Sequence, residues 1–379
     1  MVHVLEQMPS KTRLFEFDAL RALAIVLIVL SHLNAYVTDP AFVQMFRVIN
    51  YGFPLFLFGL SLFFFVSGFT LYYNSAVVSN RKDAMGFLKK RVVRIYPLYW
   101  GAIATFFVLG IGDWPNRSSV IIQICGAQGL LAPRFMESVT LWFIGVILLY
   151  YLLYIVFAGL SYNSKYMFSA ILGFLFFFAI LRAAFNIVDF RFFLYYGIFI
   201  AGIIACKYNL LYARDAKSSS TIAATLLFFI ALLAVASITH FTARLYVFNG
   251  LQIGDTPVLA STALTIAFAN ALAFLFIYSS FNIARLSLPS VGKTARKLIY
   301  AIAFSSYCVY LFHVQVLTLF ASALNETMLA ASEKDVIILV CGVTLIFLLC
   351  YAIQAGENNI VRKVAAYRHK KRGPYNTTE

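Results

Sequence analysis

Apolar runs of membrane-spanning length recur from one end of this chain to the other, and they leave few folds open. The first, Phe17 to Tyr36, reads FDALRALAIVLIVLSHLNAY. Spans are expected at about 17–37, 51–74, 95–112, 139–159, 166–186, 190–206, 220–240, 258–281, 299–323 and 335–356. Each is long enough to cross a hydrocarbon core of about 30 Å as a tilted helix. A transmembrane β-barrel is excluded, because its strands alternate over about ten residues instead of staying apolar for twenty. Only 12% of residues are charged, against about 25% in soluble domains. The reading is an all-α, polytopic helical membrane protein with about ten transmembrane helices.

Ten spans put both termini on one side of the membrane, and the cations assign that side. Loops on the side of the N-terminus carry Arg81, Lys82, Lys89, Lys90, Arg91 and Arg94, then Lys165, Lys207, Arg214 and Lys217. Arg285, Lys293, Arg296 and Lys297 follow, and Lys11, Arg13 and the basic stretch from Arg362 to Arg372 add to them. The opposite loops hold only Arg47, Arg117, Arg134, Arg182, Arg191, Arg244 and Lys334. Cytoplasmic loops carry the excess of Lys and Arg, so both termini are expected in the cytoplasm. The same distribution accounts for the net charge of +15 without nucleic acid: cations at helix ends set topology and meet lipid headgroups.

Glu6 and Glu16 precede the first run and no small-residue cleavage site follows it, so that helix is expected to stay as a signal anchor. Residues 1–364 read as a single transmembrane domain, and 365–379 as a short, basic, disordered cytoplasmic tail. The longest outer loop, about 113–138, contains Pro115, Gly126, Gly129 and Pro133 and suits a lid or a re-entrant segment. Five cysteines without CxxC spacing read as small buried hydrophobes, with no disulfide or metal framework expected.

Against that background the first run is odd, for it holds Asp18, Arg21 and His32. Ionisable groups in a spanning helix are costly and mark a partner or a task. Arg21 and His32 are eleven residues apart, three turns plus about 20°, so they share one face at a separation of about 16 Å. The orientation puts Asp18 and Arg21 near the cytoplasmic face and His32 in the outer half. An interfacial ion pair explains Asp18 and Arg21 taken alone, and a hydrogen bond between helices explains His32 alone. Together on one stripe they favour function.

A second group, Lys90, Arg91 and Arg94, recurs at helical spacing where the third span begins. Arg binds phosphate in forked, charge-assisted geometry, so these cations with Arg21 suit a cytosolic phosphorylated donor. A plain topology determinant with a Tyr and Trp belt has the same composition. Ser67 and Gly68, in the inner half of the second span, suit close helix packing or space for a substrate. His313 falls near mid-membrane in the ninth span, with Tyr307, Tyr310 and Val314 on roughly the same face, where a satisfied packing histidine is the simple reading. Glu357 ends the tenth span, where pairing with a loop cation is the simple reading. No nucleophilic Ser elbow, phosphate-binding Gly loop or dinucleotide fingerprint is present.

Taken in order, these segments resemble the acyltransferase 3 family of integral-membrane acyltransferases, which includes O-acetyltransferases of surface glycans and lipids. The family's mark is an Arg and a His separated by ten residues in a context like DGLRGIAxxxVxxxH, which here runs from Asp18 through Arg21 to His32. Supporting matches are the LFFxxSGF-like stretch at 62–69, the RxxRIxPxY-like stretch at 91–99, Leu141-Trp142-Phe143, the SYxxYLxH-like stretch at 306–313, and Glu357. Two departures stand out: Ser61 replaces an acidic residue common before LFF, and no Glu follows Trp142 before Tyr150. The esterase-like domain that some members carry after the tenth helix is not found in this sequence.

The resemblance implies transfer of an acyl group, often acetyl, from cytoplasmic acyl-CoA to a hydroxyl of an extracytoplasmic glycan or lipid-linked saccharide, with no metal, in a bacterial inner membrane. It implies His32 as general base or transient acyl carrier, Arg21 holding the donor or developing charge, and Asp18 orienting Arg21. Arg21, Lys90, Arg91, Arg94, Ser67 and Gly68 would bind the donor, with His313, Tyr310, Trp142 and Glu357 as further candidates. A carrier or flippase for a glycolipid or anionic solute is the competing class, and would line its path with the same charges. A catalytically silent assembly subunit is a third possibility.

Overall fold

The computed structural model describes residues 14–52, 55–74, 78–111, 117–135, 141–212, 218–241 and 259–371, and among them there is no strand. The helices are α1 (Phe15–Leu33), α2 (Pro40–Gly52), α3 (Leu55–Asn74), α4 (Arg81–Val108), α5 (Arg117–Cys125), α6 (Gln128–Phe135) and α7 (Trp142–Gly159). They continue as α8 (Ser164–Phe185), α9 (Phe190–Lys207), α10 (Ser218–Phe241), α11 (Leu259–Ser287), α12 (Lys293–Asn325), α13 (Ala331–Ile337) and α14 (Val343–Lys371). A π turn, Ile338–Gly342, joins α13 to α14 in one rod. Seven segments among the described residues are long and apolar enough to cross a membrane: Leu55–Asn74, Trp142–Gly159, Ser164–Phe185, Phe190–Lys207, Ile266–Ser287, Lys293–Asn325 and Ala331–Lys363. The protein is therefore all-helical and polytopic. α1 falls outside that set because Glu16, Asp18 and Arg21 interrupt it, and α4 because its first half is cationic.

The core is built on α3, which packs against α9 more extensively than any other pair of helices and then against α1. Small residues make this possible. A Cβ on Gly68 of α3 would stand 2.1 Å from the Phe199 carbonyl oxygen, and one on Gly202 of α9 would stand 2.2 Å from that of Phe65. Glycine on both helices lets the backbones touch, as helices in lipid do when van der Waals contact replaces the hydrophobic drive. Gly59 does the same toward α1, where a Cβ would lie 2.8 Å from the Ala24 carbonyl oxygen. Aromatic rings fill the remaining space, with Phe64 against Phe143, Tyr150 and Tyr195.

α12 crosses α1 on its other side. The Tyr36 hydroxyl donates to the Val314 carbonyl at 3.2 Å and meets the Thr318 hydroxyl at 3.2 Å. Just past α1, the Thr38 and Asp39 N–H groups donate to the buried Asp335 carboxylate at 2.8–3.0 Å. α1 thus packs against both α3 and α12, and the segment just after it is pinned by hydrogen bonds.

Within the stretch expected as the longest outer loop, α5 and α6 form a helical hairpin folded back along α4. The last carbonyls of α5 are taken by side chains of α4: Tyr96 donates to Cys125 at 2.7 Å, Trp100 to Ile124 at 3.0 Å, and Tyr99 to Gln123. These donors lie about 12–18 Å back from the end of α4 at Val108, so α5 runs back beside the helix that precedes it. Gly126, at φ +71°, turns the chain into α6. Gly129 there lies against Gly145 of α7, where a Cβ would be 2.6 Å from the backbone. Residues 112–116 and 136–140 lie outside the described residues.

Of the cysteines, Cys206, Cys308 and Cys350 are buried and Cys125 and Cys341 are exposed. Burial thus holds for three of the five, because Cys341 lies on an outward face and Cys125 at the open end of α5. α14 continues to Lys371, into the basic segment, and residues 372–379 lie outside the described residues.

Candidate active site

One cavity of about 820 Å³ collects most of the residues singled out in the sequence. α1 supplies Asp18 and Arg21, α3 supplies Ser67, and α4 supplies Lys89, Lys90, Arg91 and Arg94. α12 adds Tyr310, and α14 adds Glu357. Residues from five helices, far apart in sequence, therefore face a common space. Tyr307, Thr70 and Gln354 also line it. Gln354 lies one turn before Glu357 and donates to its carboxylate, an i, i+3 pair on one face of α14.

The cavity is strongly cationic, with five Lys and Arg against the carboxylates of Asp18 and Glu357. Arg21 reaches Asp18 at 3.4 Å, with the Asp18 side chain 6% exposed and that of Arg21 33%. The carboxylate is held down in the protein while the guanidinium extends to the cavity wall. Arg91 lies over two rings, 5.2 Å from the Phe87 centroid and 5.6 Å from that of Tyr151. Burial lowers its pKa from the ordinary value, with Arg94 pushing the same way against the opposing effect of Tyr151. So many like charges around one space repel one another, and an anion between them relieves that repulsion.

Gly68 does not line the cavity: its Cα faces α9, so its role is the close approach of α3 and α9. Ser67, beside it, faces the cavity. Trp142 is also elsewhere. Its ring lies 4.2 Å from the Arg191 guanidinium and 6.0 Å from the Tyr195 ring, and Arg191 is ion-paired with Asp189. Its neighbour Phe143 lines the cavity instead and packs 5.0 Å from Tyr310.

His32 and His313, from α1 and α12, stand edge to face with ring centroids 4.8 Å apart. Each ring is anchored by its own helix. His32 Nδ1 is 2.8 Å from the Ile28 carbonyl oxygen, and His313 Nδ1 is 3.0 and 2.9 Å from those of Val309 and Tyr310. A carbonyl oxygen only accepts, so Nδ1 carries the hydrogen in each neutral ring and Nε2 keeps a free lone pair. Tyr310 joins this pair to the cavity, lining it with a ring 6.2 Å from that of His313. The juxtaposition of the two histidines was missing from the sequence reading. Nothing in 281 residues of separation signals it, whereas the α12 face bearing Tyr307, Tyr310 and His313 was legible.

The arrangement offers a strongly cationic cavity and, beyond Tyr310, a pair of neighbouring imidazoles. Among the described residues, no three His, Cys, Asp or Glu side chains converge as metal ligands would. The family model described as an acyltransferase domain, that of the acyltransferase 3 family, matches residues 14–355, nearly the whole chain. No curated protein and no solved structure matches it.

Proposed function

The chain belongs to the acyltransferase 3 family, and on that footing we propose that it moves an acyl group, acetyl in the simplest case, from cytoplasmic acyl-CoA to a hydroxyl on the far side of the membrane. It is a multi-pass membrane protein of an acyltransferase family; the donor, the acceptor and the orientation are what we add. The observation that carries the reading is the cavity in which Arg21 meets Lys90, Arg91 and Arg94. Coenzyme A brings several phosphates, and guanidinium and ammonium groups are their natural partners. The positive loops argue for a cytoplasmic opening, ten spans and two cytoplasmic termini, in a bacterial inner membrane.

In this reading Arg21 and the α4 cations hold the donor phosphates while the acyl end reaches past Tyr310 toward the histidines. His32 takes the proton of the acceptor hydroxyl as its oxygen attacks the thioester carbonyl. Asp18 keeps Arg21 in place. The acceptor is a glycan or lipid-linked saccharide hydroxyl presented from the outer face.

The test is acyl transfer by the full-length protein in lipid nanodiscs or membrane vesicles. Acetyl-CoA should raise the melting temperature and release free thiol when the acceptor-bearing membrane fraction is present. Dephospho-CoA should protect less, because it lacks one phosphate. A protein that neither is stabilised by acetyl-CoA nor releases thiol is not this enzyme, and a carrier would take its place.

A further inference from the structure

α5 is inverted relative to a helix of a soluble core. It turns Ile121 and Ile124 outward and buries Ser119 and Gln123, one turn apart. In a bilayer such a face meets a polar interior, and polar side chains so placed mark substrate paths. Gln123 is fully buried, yet neither atom of its amide has a hydrogen-bond partner among the described residues. Two more buried amides are incomplete. Gln128 of α6 donates to the Tyr99 hydroxyl at 3.0 Å and the Leu141 carbonyl at 2.9 Å, but its Oε1 accepts nothing. Gln315 of α12 donates weakly to the Ala102 carbonyl and the Thr105 hydroxyl, at 3.5 and 3.4 Å, and its Oε1 accepts nothing. Buried polar atoms without partners are costly and rare, so three such amides in one place need a common explanation.

The three lie along one stretch of α4, from Tyr99 to Thr105. Ile95, Tyr99 and Ala102, at i, i+4 and i+7, share the α4 face toward α12, where Tyr307 donates to the Ile95 carbonyl at 2.8 Å. The Tyr99 hydroxyl donates to the Gln123 carbonyl and accepts from Gln128. The cationic cavity ends one turn below, at Ile95 and Tyr307, and at Phe143, two residues past the carbonyl that holds Gln128. Gln315 lies at nearly the depth of His313 on α12, and the His313 ring meets His32.

We propose that the Gln123, Gln128 and Gln315 amides form a subsite for a neutral, polyhydroxylated ligand, the saccharide that carries the acceptor hydroxyl. The proposal rests on the acyl-transfer reading above and adds where the acceptor is held. A sugar hydroxyl both donates and accepts, and a carboxamide offers one group of each kind, so the unpaired amide atoms match neighbouring hydroxyls of one ring. Gln123, Gln128, Gln315, Tyr99, Ser119 and Thr105 carry no charge, in contrast to the cavity below them. Cations there select phosphate by charge, whereas the amides select hydroxyls by hydrogen-bond direction. Donor and acceptor are thereby separated along α4, phosphates at Lys90, Arg91 and Arg94 and saccharide between Tyr99 and Thr105. The amides are enclosed in this structure, so a saccharide enters as the α5–α6 hairpin shifts from α4.

The experiment uses the full-length protein in lipid nanodiscs, acetyl-CoA labelled in the acetyl group, and graded amounts of a saccharide-lipid extract of the native membrane. Thiol release and label in the saccharide are read against both substrates, with melting temperature on the same samples. Gln123→Met keeps the length of the side chain and removes the unpaired amide. The subsite predicts a melting temperature equal to or above wild type, because an apolar group of the same shape replaces unpaired polar atoms. KM for acetyl-CoA should stay within about twofold, while the extract needed for half-maximal rate rises about tenfold, the loss of one hydrogen bond to the acceptor. Gln315→Met should raise the extract requirement likewise, and decides alone if Gln123→Met does not fold. Unchanged dependence on the extract in both folded variants overturns the subsite and leaves the amides holding ordered water only. A rise in KM for acetyl-CoA alone overturns it too, as does a lower melting temperature with wild-type kinetics, which marks a packing group. Wild-type protein that releases no thiol and labels no saccharide overturns the acyl-transfer reading itself, whereas an active wild type with unaffected variants overturns the subsite alone.

Discussion

Gly68 of α3 and Phe199 of α9 are in backbone contact: a Cβ on Gly68 would lie 2.1 Å from the Phe199 carbonyl oxygen. No side chain fits there, and the obstructing atom is backbone, which cannot rotate away. Gly68→Ala should therefore destabilise by about 3 kcal/mol or more, at or beyond the upper end of overpacking costs. Gly173→Ala on α8, where a Cβ would meet nothing within 4 Å, should be neutral or slightly stabilising by removing a helix-interior glycine. Thermal melting of the two variants in one detergent checks this; equal melting points would refute the contact.

Arg91 is set apart from the neighbouring lysines by its two aromatic contacts. Arg91→Lys keeps the charge but loses the planar group that lies over Phe87 and Tyr151. If this residue holds a donor phosphate, KM for acetyl-CoA should rise about tenfold in Arg91→Lys and further in Arg91→Ala. Initial-rate kinetics across donor concentrations measure it, and a change confined to kcat would contradict the assignment.

His32 should behave in the opposite way. Replacing a general base removes a factor of about 10²–10⁴ from the chemical step, so His32→Gln should lose kcat with little change in acetyl-CoA affinity. Thiol release and donor protection against melting, measured on the same preparation, separate the two. Normal turnover in a folded His32→Gln protein would end the assignment.

Asp335 makes a structural prediction independent of function. Its buried carboxylate accepts from the Thr38 and Asp39 N–H groups just after α1. Asp335→Ala leaves both donors without that acceptor and should cost about 1–3 kcal/mol for each that stays buried. Asp335→Asn keeps one good acceptor and should cost less. The order of the three melting temperatures is the check.

Much of the fold was legible because the bilayer makes the reading simple. Twenty apolar residues in a row have few alternatives to a helix, since lipid offers no partners for an open backbone. The boundaries of α3, α7, α8 and α9 follow from such runs. The apolar patterns of α1 and α4 are interrupted, and among the interrupting residues Asp18, Arg21, Lys90, Arg91 and Arg94 line the cavity. The α5–α6 hairpin was legible only as a loop with helix-breaking residues, its path being set by contacts that Tyr96, Tyr99 and Trp100 make from another helix.

By itself, then, the sequence determined the helical class and the single stripe joining Arg21 to His32, both of which depend on local period and composition. Only the tertiary structure decided that Arg21 and the α4 cations enclose one space, that Gly68 serves the α3–α9 contact and Trp142 the Arg191 stack, and that His32 meets His313. The physical reason is range. Helical periodicity fixes which residues share a face over a few turns, but which faces meet is decided by packing, where glycines let backbones approach and rings fill what is left.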